Sequence, residues 1–401
     1  MYNYNELTNI CKTNSEMFRK VVEDFLFNNV VNNKKLADEI LVSFSPYRHI
    51  TGIFEKKYYH MFINQFIMFK IFKKDGLIKK YLNHSAVQRL PQNERDYLHK
   101  LTKYPWKFSF SKITGSPEER FFEMKDVFTG ESFLLHSPGV SDLISKQGVS
   151  LWLNLIGYNG QCWQSFGPIN AYKAFTSDDI LFFSDKLYPQ ERILTREEII
   201  EKIEKNPVPY MMLVSGAEYP VVFHGDEQIF QITAEYNIDS FNAKGLDKDF
   251  KVEYSNEIYR LSLKGWDFHP HFCSAYYDEK KKILLLYSMT DRGFNELVSC
   301  LNRIGYDFTI DPDIRVTTAM MTTAEKILRK KIRLNEYDSL FSKETSKEEK
   351  EELSKLNKFM KLVLPYINTG QPLDVKYLAQ EAGLDEETAK DILKQVMKKF
   401  G

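Results

Sequence analysis

Arg120 to His136, RFFEMKDVFTGESFLLH, is where the chain stops reading as helix and starts reading as sheet. Two strand-like runs, FFEMKDVF and SFLLH, flank Thr129-Gly130-Glu131, and Gly130 supplies the positive φ that such a turn often needs. A second hairpin is expected over Val149 to Phe166, where LWLNLI and QCWQSF flank Gly157-Tyr158-Asn159-Gly160. The apolar period of two begins just after Trp106, with Phe108 and Phe110, and resumes at Phe121, Met124 and Val127. Four or five such strands suffice for a small barrel or curled antiparallel sheet, which sets a β-rich domain at 105–190.

Upstream, residues 15–103 carry apolar residues at spacings of three and four, so 1–104 is expected as a helical domain. Ser15 is placed as the first cap, with Met17, Val21, Val22, Phe25 and Leu26 on one face. A second helix is expected from Lys57 to Phe72, where Tyr58, Met61, Phe62, Phe66 and Phe69 form a stripe. A third runs from Gln92 to Leu101 after Pro91.

Downstream, Thr195 and Glu198 make a capping box, and strands are expected at Tyr210–Val214, Val221–His224, Ile229–Glu235, Val252–Leu263, Phe272–Tyr277 and Ile283–Ser288. A helix from Asp291 to Ile304, capped by Asp291, offers Phe294, Leu297, Val298 and Leu301 to a sheet. Because strands arrive in runs, 191–310 is an α+β unit and not a parallel α/β one. A helical tail, 311–401, follows, with capping-box patterns at Thr322/Glu325 and Ser346/Glu349. The fold class is α+β throughout.

The 401 residues hold 55 Lys plus Arg against 55 Asp plus Glu, so no net field draws the molecule to nucleic acid or anionic lipid. With 43% apolar residues, 30 Phe and 23 Tyr, folding requires neither disulfide nor metal. Cys11, Cys162, Cys273 and Cys300 show no paired spacing, which fits a reducing compartment. MYNYNE is no secretory leader, and the longest apolar run, Met61 to Phe72, is broken by Asn64, Gln65 and Lys70. A cytoplasmic protein without a membrane partner is expected.

DGLIKKYL from Asp75, the passage from Tyr97 to Trp106, DVFTGE from Asp126 and SMTDRGFNELVSCLNRIG from Ser288 follow one another in a familiar order. Over residues 15–305 this order resembles the amino-terminal region of prokaryotic proteins that often end in a SEC-C zinc motif. The resemblance implies the fold and a bacterial cytoplasmic setting, and carries over no catalytic residue. No cysteine follows Cys300, so the SEC-C zinc site itself has no counterpart here.

Two local features carry chemistry. In His269-Pro270-His271-Phe272-Cys273, strand alternation sets His269, His271 and Cys273 on one face, a potential zinc site and the centre of a metal-dependent hydrolase; a Cys273 nucleophile assisted by His271 is the variant of that reading. The second feature, Leu373 to Ala382, Gly383-Leu384-Asp385 and Glu386 to Lys399, resembles a helix-turn-helix, with Ala389, Ile392, Leu393 and Val396 packing on Val375, Leu378 and Leu384. Its second helix starts Asp385-Glu386-Glu387, which phosphate repels, and offers Lys390, Lys394, Lys398 and Lys399 only later.

The basic run Arg329, Lys330, Lys331 and Arg333 reads as the solvated face of an amphipathic helix or as a phosphate-facing patch. Asp178, Asp179, Asp185, Asp291 and Glu296 are the carboxylates from which an acid–base or metal pair would be drawn. No phosphate loop, dinucleotide fingerprint, HExxH or GxSxG is present. The function expected is therefore macromolecular binding without catalysis and without a cofactor, with a protein as partner and a nucleic-acid regulator as the rival.

Overall fold

The structure is a computed structural model that describes residues 2–29, 34–144, 149–189, 194–217, 219–239, 241, 245–341, 347–369 and 372–400. Two compact units divide it, Met1–Asn335 and Glu336–Gly401, and the divisions expected near 104, 190 and 310 fall inside the first. Along the chain, helical regions precede and follow a β-rich centre, so the fold is α+β.

The amino-terminal helix starts earlier than expected. Asn3 and not Ser15 caps Tyr4–Phe18, its Oδ1 accepting from Glu6 N, and the helix continues as a π-helical stretch over Arg19–Leu26. Lys56–Phe72 is the central helix; Phe62, Phe66 and Phe69 are buried as the stripe requires, whereas Met61 at its margin is exposed. Gln92–Leu101 is helical as expected.

The quoted hairpin is present: β2 (Phe121–Asp126) pairs with β3 (Ser132–His136), and Gly130 sits at φ 72. With β1 (Lys107–Glu118), β4 (Leu151–Tyr158) and β5 (Trp163–Tyr172) they close a five-stranded barrel in the order β1-β2-β3-β5-β4, sealed by the parallel β3–β5 pair. Closure removes both sheet edges and splits each strand between two cores. Phe122, Met124, Leu135, Trp152 and Ile156 form the inner cluster. Phe110, Leu153 and Tyr172 face the other way, onto Phe62, Phe66 and the helices that follow.

Tyr210–Val214 is not a strand. It forms a helical turn, Val208–Met211, and a 3₁₀ segment, Met212–Gly216, in which Tyr210 to Leu213 are fully buried. A short run apolar on every side carries no period, and only its surroundings choose helix over strand. A tiny hairpin, β6 (Phe223–His224) with β7 (Glu227–Gln228), follows.

The second sheet has order β13-β8-β12-β11-β10-β9 and is antiparallel throughout. Its strands are β8 (Phe230–Asn237), β9 (Phe250–Ser255), β10 (Ile258–Leu263), β11 (Ser274–Asp278), β12 (Ile283–Ser288) and β13 (Ile314–Thr317). The single strand expected over Val252–Leu263 is a hairpin turned at Asn256 and Glu257, both at positive φ without a glycine to announce them. Helix Asp291–Arg303 covers one face through Phe294, Leu297, Val298 and Leu301, but Thr290 is its cap and Asp291 its first residue.

Helix Thr318–Leu328 is capped by Thr317, which leaves Thr322 in its interior, bonding back to Thr318 O. Ser346 lies outside the described residues. In the second unit, Lys347–Thr369, Val375–Ala382 and Glu386–Phe400 are helices. Phe359, Val363, Leu378, Ala379, Ala382 and Ala389 share one core, against which Val375, Leu384, Ile392 and Leu393 pack; the side chains of Val396, Lys398 and Lys399 lie outside the described residues.

Candidate functional site

The segment from Trp266 to Cys273 is a compact turn, not a strand, because β11 begins only at Ser274. Alternation therefore does not apply to His269, His271 and Cys273, and the expected shared face is replaced by three separate environments. Phe268 O receives the N–H of both His271 and Phe272, and Cys273 N donates to Trp266 O. Phe272 adopts φ 47, the left-handed region that a residue of its size rarely enters unless its surroundings hold it there. The His269–Pro270 peptide is cis.

Two distant elements lock this turn. The β6–β7 hairpin brings His224 edge-on to His269, with ring centres 4.5 Å apart, and sets Glu227 Oε2 3.5 Å from His271 Nδ1. Helix Asp291–Arg303 contributes Arg292, whose guanidinium lies 3.7 Å from Glu227 Oε1 and 5.1 Å from the Trp266 ring centre. Thr290, the cap of that helix, places Oγ1 2.7 Å from His271 Nδ1, and Met289 N donates to His271 O. Trp266 stacks at a tilt on His271, 4.4 Å between centres. Burial holds the His271 imidazole below its usual range, the neighbouring Arg292, His224 and His269 add to the effect, and Glu227 opposes it.

Outside the lock, large apolar side chains stand in solvent. Phe223 is 58% exposed, Phe268 57% and Phe272 41%. They flank the His224–His269 pair, since Phe223 and Phe268 are its chain neighbours and the Phe272 ring lies 6.1 Å from His269. Such a cluster on a pinned backbone is a presented surface. We refer to it as the aromatic knot.

Cys273 is fully buried beside Ser288 Oγ, 3.5 Å away, and burial pushes its thiol up to about 12. It stays protonated at neutral pH and is no activated nucleophile. Among the described residues, no group of three or more His, Cys, Asp and Glu side chains is placed to hold a metal ion.

The carboxylates divide by environment. Asp179 is fully buried, accepting from Thr317 N and Oγ1 with one oxygen and from Thr176 N and Oγ1 with the other; desolvation raises it to about 6 against those four bonds. It ties helix Ser177–Leu187 to β13 and has no lone pair to spare for chemistry. Asp291 receives both Nε and Nη2 of Arg315, and Glu296 pairs with Arg303. Asp178 and Asp185 line a 330 Å³ recess with Asp311, Asp313 and Arg315.

The basic run lies past its helix: Arg329 ends it in the left-handed region, Lys330 bonds Lys186 O, and Lys331 and Arg333 are exposed in the chain that follows. The amphipathic helix expected to carry these residues stops at Leu328 because Ile332 turns inward, its N–H bound to Glu325. In the second unit Lys390 pairs with Glu386 at 2.6 Å and Lys394 is exposed. Asp385 caps the last helix through Thr388, so carboxylates occupy the end where a phosphate would bind.

Sequence reasoning marked His269, His271 and Cys273 but missed Glu227, Trp266 and Arg292, which fix them. It also missed that Cys11 and Cys162, 151 positions apart, meet as buried thiols with sulfurs 3.4 Å apart beside Asn159. Comparison of the chain with protein-family models, curated proteins and solved structures gives no match. Among the described residues no helix is long and apolar enough to cross a membrane.

Proposed function

We propose that this chain is a non-catalytic bacterial cytoplasmic protein that binds a partner protein through the aromatic knot. The observation that carries the reading is the exposure of Phe223, Phe268 and Phe272 on a backbone fixed by the Trp266, Glu227, His271, Thr290 and Arg292 contacts. Burying one such ring in a partner's pocket is worth about 1.5–3 kcal/mol, and the pinned backbone avoids most of the ordering cost. Aromatic anchors surrounded by polar groups are the composition of a binding hot spot.

A protein suits this surface better than nucleic acid. Asp226 is exposed beside it, Asp267 is half-buried, and the Arg292 charge is shared with Glu227, so a phosphate backbone gains little. The helix pair of the second unit presents acidic residues where a DNA reader presents donors.

The test is a Phe223→Ala/Phe268→Ala double variant compared with the unaltered chain in quantitative co-purification from source-cell extract. The fold should be unaffected, within about 0.5 kcal/mol, because both rings are solvent-exposed. Partner recovery should fall by about tenfold or more. Equal recovery of the same proteins by a folded double variant would refute the assignment.

A further inference from the structure

The two apolar cores of the barrel region do not close on each other everywhere. Between them opens a cavity of 740 Å³, within the roughly 300–1,000 Å³ typical of small-molecule sites. One wall comes from the inner cluster of the barrel, through Leu143, Val149 and Ile169. The opposite wall comes from the core around the central helix, through Val214, Ala217 and Val221. All six are half-buried, so each leaves apolar surface facing the opening.

Two polar features line the opening, and the charged one marks how an occupant would lie. Lys173, exposed at the rim, is the one charged side chain among the described residues that line the cavity. Asn170, only 2% exposed, belongs to the same wall, and its Oδ1 has no hydrogen-bond partner among the described residues. An unpaired buried acceptor calls for a donor, which a carboxylate lacks and a water retained beside the ligand supplies.

We infer that this cavity is a binding site for a small amphiphile with an aliphatic body and a single anionic head, of the medium-chain carboxylate class. The body covers the six aliphatic side chains, and the head meets the Lys173 ammonium at the mouth. Charge complementarity selects the anion over a neutral chain of equal length, and the apolar walls select the chain over a small polar anion. This site is independent of the aromatic knot, so either assignment stands or falls without the other.

Isothermal titration of the full chain with decanoate, below its micelle-forming concentration, tests the assignment, with 1-decanol as the neutral counterpart. Decanoate should saturate at one per chain and bind more tightly than decanol. Lys173→Gln, at an exposed position, should weaken decanoate by about tenfold, equivalent to 1.4 kcal/mol, and leave decanol unchanged. Ala217→Trp should fill the cavity and abolish binding of both. Absence of saturable decanoate binding, or decanoate binding that Lys173→Gln leaves unaltered, would overturn the proposal whether or not Ala217→Trp folds.

Discussion

At the barrel mouth, Leu143, Val149, Ile169 and Val221 turn half-buried aliphatic side chains toward a concave space, whereas two residues beyond Val221 the chain reaches Phe223 and stands it in solvent. Both regions leave apolar surface unsatisfied, and they do so with opposite shapes. A concavity limits its occupant to something small enough to enter. A projecting ring demands a pocket on something large. The segment from Tyr219 to His224 serves both, so one stretch of chain separates the two kinds of recognition, and what pins each side differs. The knot is held by polar contacts from Glu227, Thr290 and Arg292; the cavity wall is held by packing, with Gly216 against Thr323.

That contrast can be broken first at the glycines. A Cβ on Gly293 would sit 2.6 Å from Cys273 Sγ and 2.8 Å from Ser288 Oγ and Thr290 Oγ1. Gly293→Ala should therefore cost about 1–3 kcal/mol in chemical denaturation, and reduce partner binding with it. Gly216→Ala, which collides with Thr323, should cost a similar amount yet weaken decanoate and spare the knot. Identical binding phenotypes for the two variants would dissolve the distinction.

Acid should act on the knot next. Because the His271 imidazole is held below 6.5, the folded state takes up its proton later than the unfolded chain does. Its contribution is fully present above the unfolded value and is lost as pH falls through that range toward the lower folded one. His136, pressed down by burial and by Arg120, acts in the same direction. Asp179, raised by burial to about 6, acts in the opposite direction over the same range, so the difference between parent and variant carries the test. Between pH 7.5 and 5.5 the melting temperature of the parent should change more unfavourably than that of His271→Gln; equal changes would remove His271 from the account.

Single exposed changes should have the smallest effects on stability. Phe268→Ala and Lys173→Gln should each stay within about 0.5 kcal/mol of the parent in denaturation while affecting only their own ligand.

The parts legible in the sequence are those whose cause is local. Gly130 between two β runs, the Thr195/Glu198 box and the apolar face from Phe294 to Leu301 each set their element from within a few residues. Tyr210–Val214 reads as a strand and folds as helical turns because a run buried all round has no period, and the Asn256-Glu257 turn hid because neither residue is the usual bearer of positive φ. The knot was half legible. His269-Pro270-His271-Phe272-Cys273 stood out by composition, yet its chemistry depends on Glu227 more than 40 positions upstream and on Arg292 some 20 downstream, contacts that only the tertiary fold creates. The cavity had no local signal at all, being a seam between two cores.

The most direct measurement places a photo-reactive benzoylphenylalanine at position 268 and, separately, at Tyr254, another exposed aromatic on edge strand β9. After irradiation in nuclease-treated source-cell extract, the account predicts one discrete cross-linked protein at position 268 and none at 254. Excess unlabelled parent should compete it away, and the Phe223→Ala/Phe268→Ala variant should not. Equal labelling at both positions, or labelling that the double variant competes as well as the parent, would contradict the claim that the aromatic knot is the binding face.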